Sequence, residues 1–268
     1  MSSSEGPSEN QCQRIWIVRY GLTYPPLVEN VGPFNMDIEP TEGVDHAEKV
    51  AEQIACSNGA VPTIVFASPF LRTTHTADII ARRLKARVCI EEGLTEWLTP
   101  SLVMEKSSGT QTFPSSVEQL AETFKTIDVS YKSLNPVVTG DNANSDGVAP
   151  RFPESLEALL LRAQTTVSQL VEYSSNDNAN IVIVSHAPCI QAIAYALEGV
   201  ISTDESKLTP WPLGGITMFS RDIVRNNTDY DSTTTGWKMD MYGDTKHMPG
   251  KYKDGFKEWS LPCFEKTK

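Results

Sequence analysis

The chain has no apolar run approaching the ~20 residues that a membrane-spanning helix needs. Its first thirteen residues, MSSSEGPSENQCQ, are polar. Neither a membrane span nor a signal peptide is therefore expected. It has no CxxC pair: Cys12, Cys56, Cys89, Cys189 and Cys263 are odd in number and widely spaced. That pattern argues against a disulfide framework and a cysteine zinc site, and for free thiols in a reducing compartment. Histidine is scarce, and His46, His75 and His247 include no pair at metal-ligand spacing. Clustered positive charge is also missing. The stretch 246–257 is richest in Lys, but Asp254 and Glu258 dilute it, and the net charge is −11 with a pI near 4.9. Such a chain is repelled by nucleic acid and by anionic lipid, so neither is expected as a partner. Gly214-Gly215 stands in no GxGxxG or Lys-Ser frame, which leaves it a turn rather than a nucleotide loop. No cofactor is called for, and the expected location is cytoplasmic, with the nucleus as the alternative.

What is present is an ordinary globular composition, 40% hydrophobic and 21% charged over 268 residues. Residues 1–13 read as a disordered terminus by composition, and 14–268 as a single domain with a polar insertion at about 99–150. Ile15-Trp16-Ile17-Val18, Thr63 to Ala67, Arg87 to Ile90 and Ile181 to Val184 are short apolar runs of β-formers, expected as buried strands. Helices are expected between them. One begins at Asp45, which forms a capping-box-like pair with Glu48. Others run from Leu71 to Leu84, Ser116 to Ile127 and Ser155 to Tyr173, and a last one follows His186 and ends near Gly199. Leu156, Leu159, Leu160, Ala163, Val167, Leu170 and Val171 form the apolar stripe of the fourth. Ile216 to Ser220 and Trp237 to Tyr242 read as final strands. Alternating strands and helices predict an α/β fold, a mainly parallel central sheet flanked by helices on both faces. GDNANSDG at 140–147 reads as a flexible loop, and the insertion as a mobile lid that sets specificity.

In such a sheet ligands sit beyond the carboxyl ends of the strands. Arg19, Tyr20 and Gly21 follow the first strand, and Ser68-Pro69 and then Arg72 follow the second. Gly93-Leu94-Thr95-Glu96 follows the third, and Ser185-His186 follows the fourth at a helix start. Two guanidinium forks beside a helix N-terminus suit the oxygens of a phosphoryl group. The bland alternatives are arginines paired with nearby carboxylates, a histidine at a helix cap and a surface glutamate. Convergence at one sheet edge favours an oxyanion site.

These segments resemble the histidine phosphatase (phosphoglycerate-mutase-like) superfamily. VRYGLTY is similar to its strand-plus-RHG signature, ASPFLRTTHTADII to its SPxxRxxQTA segment, EEGLTEW to its acid segment and VIVSHAPCI to its second-histidine segment. Their order matches from about residue 14 to 220. GLTEW and the insertion most resemble the phosphatase domain of the suppressor-of-T-cell-receptor-signalling (ubiquitin-associated and SH3-containing) group. The resemblance implies that Arg19 and Arg72 clamp phosphoryl oxygens, that His186 is a further oxygen ligand and that Glu96 stands at the acid position. It also implies a homodimer. It places Tyr20 where the family has its nucleophilic histidine, and Leu22 where an acidic or amide residue is common.

An imidazole offers a lone pair at neutral pH, whereas a phenol with a pKa of ~10 is almost wholly protonated. An aryl phosphate is also far less labile than phosphohistidine. The expected function is thus a pseudophosphatase that keeps its phosphoryl pocket and acts in regulation, through a phosphorylated small molecule, a phosphoprotein or a protein partner. The alternatives are a weakly active phosphatase using Tyr20 or direct water attack, and a scaffold with a relic pocket. A mutase is disfavoured, because the residues after Gly21 lack the family's Ser-x-x-Asn pattern.

Overall fold

In the computed structural model, residues 11–23, 36–57, 61–97, 114–136, 154–175, 180–199, 211–223 and 236–248 are described. Residues 1–10, the 140–147 loop and most of the expected insertion lie outside them. Six strands form one sheet: β1 (Gln11–Arg19), β2 (Ile64–Ala67), β3 (Arg87–Ile90), β4 (Ile181–Ser185), β5 (Ile216–Ile223) and β6 (Lys238–Asp244), in the order β3-β2-β4-β1-β5-β6. β3, β2, β4 and β1 are mutually parallel, while β5 and β6 add an antiparallel edge. The expected α/β class and mainly parallel sheet are what the chain adopts.

The pleat sorts the core. Ile15, Ile17, Phe66, Cys89, Ile181 and Ile183 face α4 (Leu156–Ser175) and α5 (Ala187–Glu198). Trp16, Val18, Val65, Ala67, Val88, Val182 and Val184 face α1 (Glu42–Ala55), α2 (Leu71–Leu84) and α3 (Val117–Thr123). Burial on both faces explains why these strands read as unbroken apolar runs.

Three expectations are corrected. Residues 11–13, assigned to the disordered terminus, extend β1, because Gln11, Cys12 and Gln13 pair with Ile223, Asp222 and Arg221 of β5. The helix expected from Ser116 to Ile127 ends at Thr123. Ser116 and Gln119 close a capping box at its start, and Ile127 instead bridges Val88 beside β3. α1 begins before Asp45. Its open N–H groups are met by Glu39, whose Oε2 accepts from Thr41 N at 2.8 Å and also from Glu42 N.

The turn after β1 is set by two glycines. A Cβ on Gly21 would press on the carbonyl of Gly43, and one on Gly43 would press on the carbonyl of Leu22. The loop therefore lies directly on the first turn of α1, and Gly21 N donates to Thr76 Oγ1 of α2 at 3.2 Å. Because the obstruction is backbone, Gly21→Ala is expected to lower the free energy of unfolding by ~1–3 kcal/mol, the usual range for overpacking. Urea denaturation at constant m-value measures it. An unchanged midpoint would mean that the loop yields freely.

Candidate functional site

Register brings the site together. Arg19 pairs with Ser185 between β1 and β4, and Ala67 with Val184 between β2 and β4. Tyr20 and His186, each the next residue, therefore leave the sheet side by side, and Ser68 follows Ala67 one register step before them. His186 is the N-cap of α5, with extended backbone and no side-chain capping bond, so its ring is available to the pocket. Arg72 lies in the first turn of α2, and Glu96 follows the 3-10 turn Glu92–Leu94.

All five residues singled out in the sequence meet here. Arg72 Nη2 is 3.0 Å from His186 Nδ1 and 3.5 Å from Glu96 Oε2, and the third side of this triangle, His186 Nδ1 to Glu96 Oε2, is 3.2 Å. The Tyr20 ring stands edge-on to His186 at 5.5 Å between centroids. The guanidinium carbons of Arg72 and Arg19 lie 4.8 Å and 5.7 Å from the Tyr20 centroid, within cation–π reach. Arg19 Nη1 donates to Trp211 O at 2.6 Å.

The protons follow from the contacts. An Arg72 N–H aimed at Nδ1 requires a lone pair there, which assigns the ring proton to Nε2, 2.9 Å from Ser68 Oγ. Burial, helped by Arg72 and Arg19 against the opposing pull of Glu96, lowers the imidazole to about 4. Burial alone would raise Glu96, but the His186 ring, Arg72 and the Trp97 N–H outweigh it and hold the carboxyl at about 2. At neutral pH the ring is uncharged, the carboxylate is charged, and Arg72 is the cation that holds it. Glu96 is thus the anion of the resting pocket.

Sequence reasoning passed over the surroundings. Ser68 Oγ meets the His186 Nε2–H that the Arg72 contact assigns, and Phe70 stacks edge-on to the same ring at 4.7 Å. Ser68 was legible as the residue closing β2; nothing local marked Phe70 or the Trp211 carbonyl. Gly214, as expected a turn residue, takes a φ of 65° and donates its N–H to the carbonyls of Arg19 and Tyr20. His75 binds Asp37 at 2.9 Å and stacks on Phe124 at 5.2 Å, a helix-surface role. Among the described residues no group of three His, Cys, Asp or Glu side chains could hold a metal, and no helix is long and apolar enough to cross a membrane.

Residues 15–222 match the profile of the Histidine phosphatase superfamily (branch 1), and the chain belongs to that family. It is 27% identical over 156 residues to ubiquitin-associated and SH3 domain-containing protein A of Mus musculus, a match covering 57% of this chain and 23% of that protein. It spans less than a quarter of that relative's length. Among solved structures it superposes on the ecdysone phosphate phosphatase of Bombix mori with tungstate (TM-score 0.55, 18% identity, 77% of this chain and 88% of that one). It also superposes on a histidine-to-alanine mutant of Entamoeba histolytica phosphoserine phosphatase with phosphoserine (TM-score 0.52, 22% identity, 88% and 100%). At these identities the likeness establishes the fold.

The two lowered pKa values act in one direction. Between pH 4 and 6.5 the unfolded chain holds more proton on His186 than the folded one, and between 2 and 4.5 it holds more on Glu96. Stability therefore falls as pH falls through these adjoining windows. The melting temperature is expected to drop steadily from pH 6.5 to 4, and His186→Gln should flatten that segment. An equal slope in the variant would place the acid sensitivity elsewhere. Separately, Glu96→Gln is expected to tighten sulfate binding at pH 7 by about tenfold, the effect of removing ~1.4 kcal/mol of competition for Arg72. Weaker binding in the variant would contradict the competition.

Proposed function

We propose that this chain is a catalytically impaired histidine-phosphatase-like protein that binds a phosphorylated ligand, a small molecule or a phosphoprotein, and acts in regulation through that binding. The carrying observation is the placement of the Tyr20 ring within reach of the guanidinium groups of both Arg72 (4.8 Å) and Arg19 (5.7 Å), edge-on to His186. In this reading Tyr20 occupies the nucleophile position. Arg19, Arg72 and His186 hold the phosphoryl oxygens, and Glu96 stands at the acid position. A phosphoryl dianion beside Arg72 takes over the charge that holds Glu96 and raises the affinity of both Glu96 and His186 for protons. Binding then readies an acid for a leaving group, but phosphoryl transfer also needs an in-line nucleophile. A phenol, protonated at neutral pH and forming a stable aryl ester, is a poor one. That the histidine-to-alanine phosphoserine phosphatase is found with phosphoserine supports binding by this fold after a histidine is lost.

The intact triangle of Arg72, Glu96 and His186 supports a second reading, a weakly active phosphomonoester or protein-tyrosine phosphatase with a non-histidine nucleophile. Hydrolysis of p-nitrophenyl phosphate separates the two. Wild type is expected at background, and Tyr20→His is expected to recover part of the activity, which His186→Ala or Glu96→Ala then removes. Wild-type turnover lost in Tyr20→Phe would make Tyr20 a nucleophile. Turnover kept in Tyr20→Phe but lost in His186→Ala would mean direct attack by water. Tungstate is expected to raise the wild-type melting temperature, as a native-state ligand does, and Arg72→Ala to abolish the shift. A shift that survives Arg19→Ala with Arg72→Ala would put the anion elsewhere.

A further inference from the structure

Among the described residues, Arg162 is the one cationic side chain in the set of largest fully buried residues. It lies on α4, where its Nε and Nη2 each reach an oxygen of Glu154 at 2.7 Å. Its Nη1 donates to two carbonyls, Gly93 O and Thr95 O, both at 2.8 Å. These carbonyls belong to the turn that delivers Glu96. The carbonyl between them, Leu94 O, accepts from Ser185 Oγ at 2.7 Å, in the residue before His186. Beyond Glu96, the Trp97 indole N–H donates to Glu154 O at 3.0 Å. Glu96 is thus bracketed: Thr95 is tied to Arg162 and Trp97 to Glu154. Gly93 permits the close approach, since a Cβ there would fall on the Thr166 side chain of α4.

Burial of an ion pair is weak evidence for stability, because apolar residues of similar volume often do as well. A guanidinium that places one arm on two carbonyls of the same turn does something apolar residues cannot: it fixes a backbone path. We infer that Arg162, locked by Glu154, is a positioning residue that sets the Glu96 carboxylate against Arg72 and His186. The role of Glu96 in a phosphoryl pocket rests on the function proposed above; its placement by Arg162 does not. A lysine at 162 keeps one positive charge, but its single nitrogen cannot hold both Glu154 oxygens and both carbonyls at once, as the three guanidinium nitrogens do.

The test is the titration of the Glu96 side-chain carboxyl, followed by 13C NMR in the ligand-free protein. The variants are Arg162→Lys, the paired replacement Arg162→Met with Glu154→Leu, and Trp97→Phe. The pair leaves no buried charge uncompensated, and Trp97 is partly exposed, so at least this substitution leaves the core intact. In wild type Glu96 is expected to titrate near 2, well below the ordinary 4.5. In Arg162→Lys and in the paired variant its midpoint should rise by at least one pH unit, and in Trp97→Phe by less in the same direction. Folded variants in which Glu96 titrates as in wild type would overturn the inference, as would full rescue by lysine. Tungstate titration of the same proteins keeps the two ideas apart. A wild type that binds no tungstate would defeat the pocket reading, while the Glu96 midpoints still decide the role of Arg162.

Discussion

The pairing of Arg19 with Ser185 across β1 and β4 is the constraint from which the site follows. Parallel strands in this register end level with one another, so the residues that leave them, Tyr20 and His186, meet without any long loop having to close. Ser68 N donates to Val184 O at 3.1 Å and carries the same level across to β2. A slip of one residue would turn every side chain to the opposite face. With Ile15, Ile17, Trp16 and Val18 all buried, that slip is prevented by the core on both sides.

Two guanidinium–carboxylate sets lie behind this edge, and they differ in tightness. Arg162 and Glu154 meet at 2.7 Å with two further carbonyl bonds and no solvent exposure, which closes the set. Arg72, Glu96 and His186 meet at 3.0–3.5 Å, with Glu96 13% exposed. The closed set holds backbone; the open one holds a partly exposed carboxylate against Arg72. The chain as a whole carries a net charge of −11, which repels anions at long range, so in the reading proposed above this local pair of arginines supplies the attraction.

The core and the site were legible to different depths. Runs such as Ile181 to Val184 declare strands buried on both faces, and the polar residues after each run declare the edge where ligands bind. The antiparallel edge was less legible. Gln11, Cys12 and Gln13 carry no apolar signal, and they join β1 because β5 supplies a partner for their backbone. Glu39 was passed over as the cap of α1, since the nearer Asp45 and Glu48 fit the local pattern better. Arg162 is the instructive case. It sits three residues after Leu159 and four before Thr166, on the buried face of α4, while Leu161 beside it is 53% exposed. Helical periodicity puts position 162 on the inner face, whereas an arginine ordinarily lies at the surface. Only a turn from β3 with open carbonyls, brought against α4, reconciles the two.

The sequence by itself determined the α/β class, the parallel strands and the five side chains that gather at their ends, because these depend on local periodicity and on where apolar runs stop. The tertiary structure alone decided the protons and the fine placement. The Nε2–H tautomer of His186 depends on Arg72, 114 residues away in sequence, and so does the ionised state of Glu96. The path of the Glu96 turn depends on a guanidinium 67 residues beyond Thr95. Hydrogen bonds and buried charges respond to what lies within a few ångströms in space, and the order of residues along a chain does not record that distance.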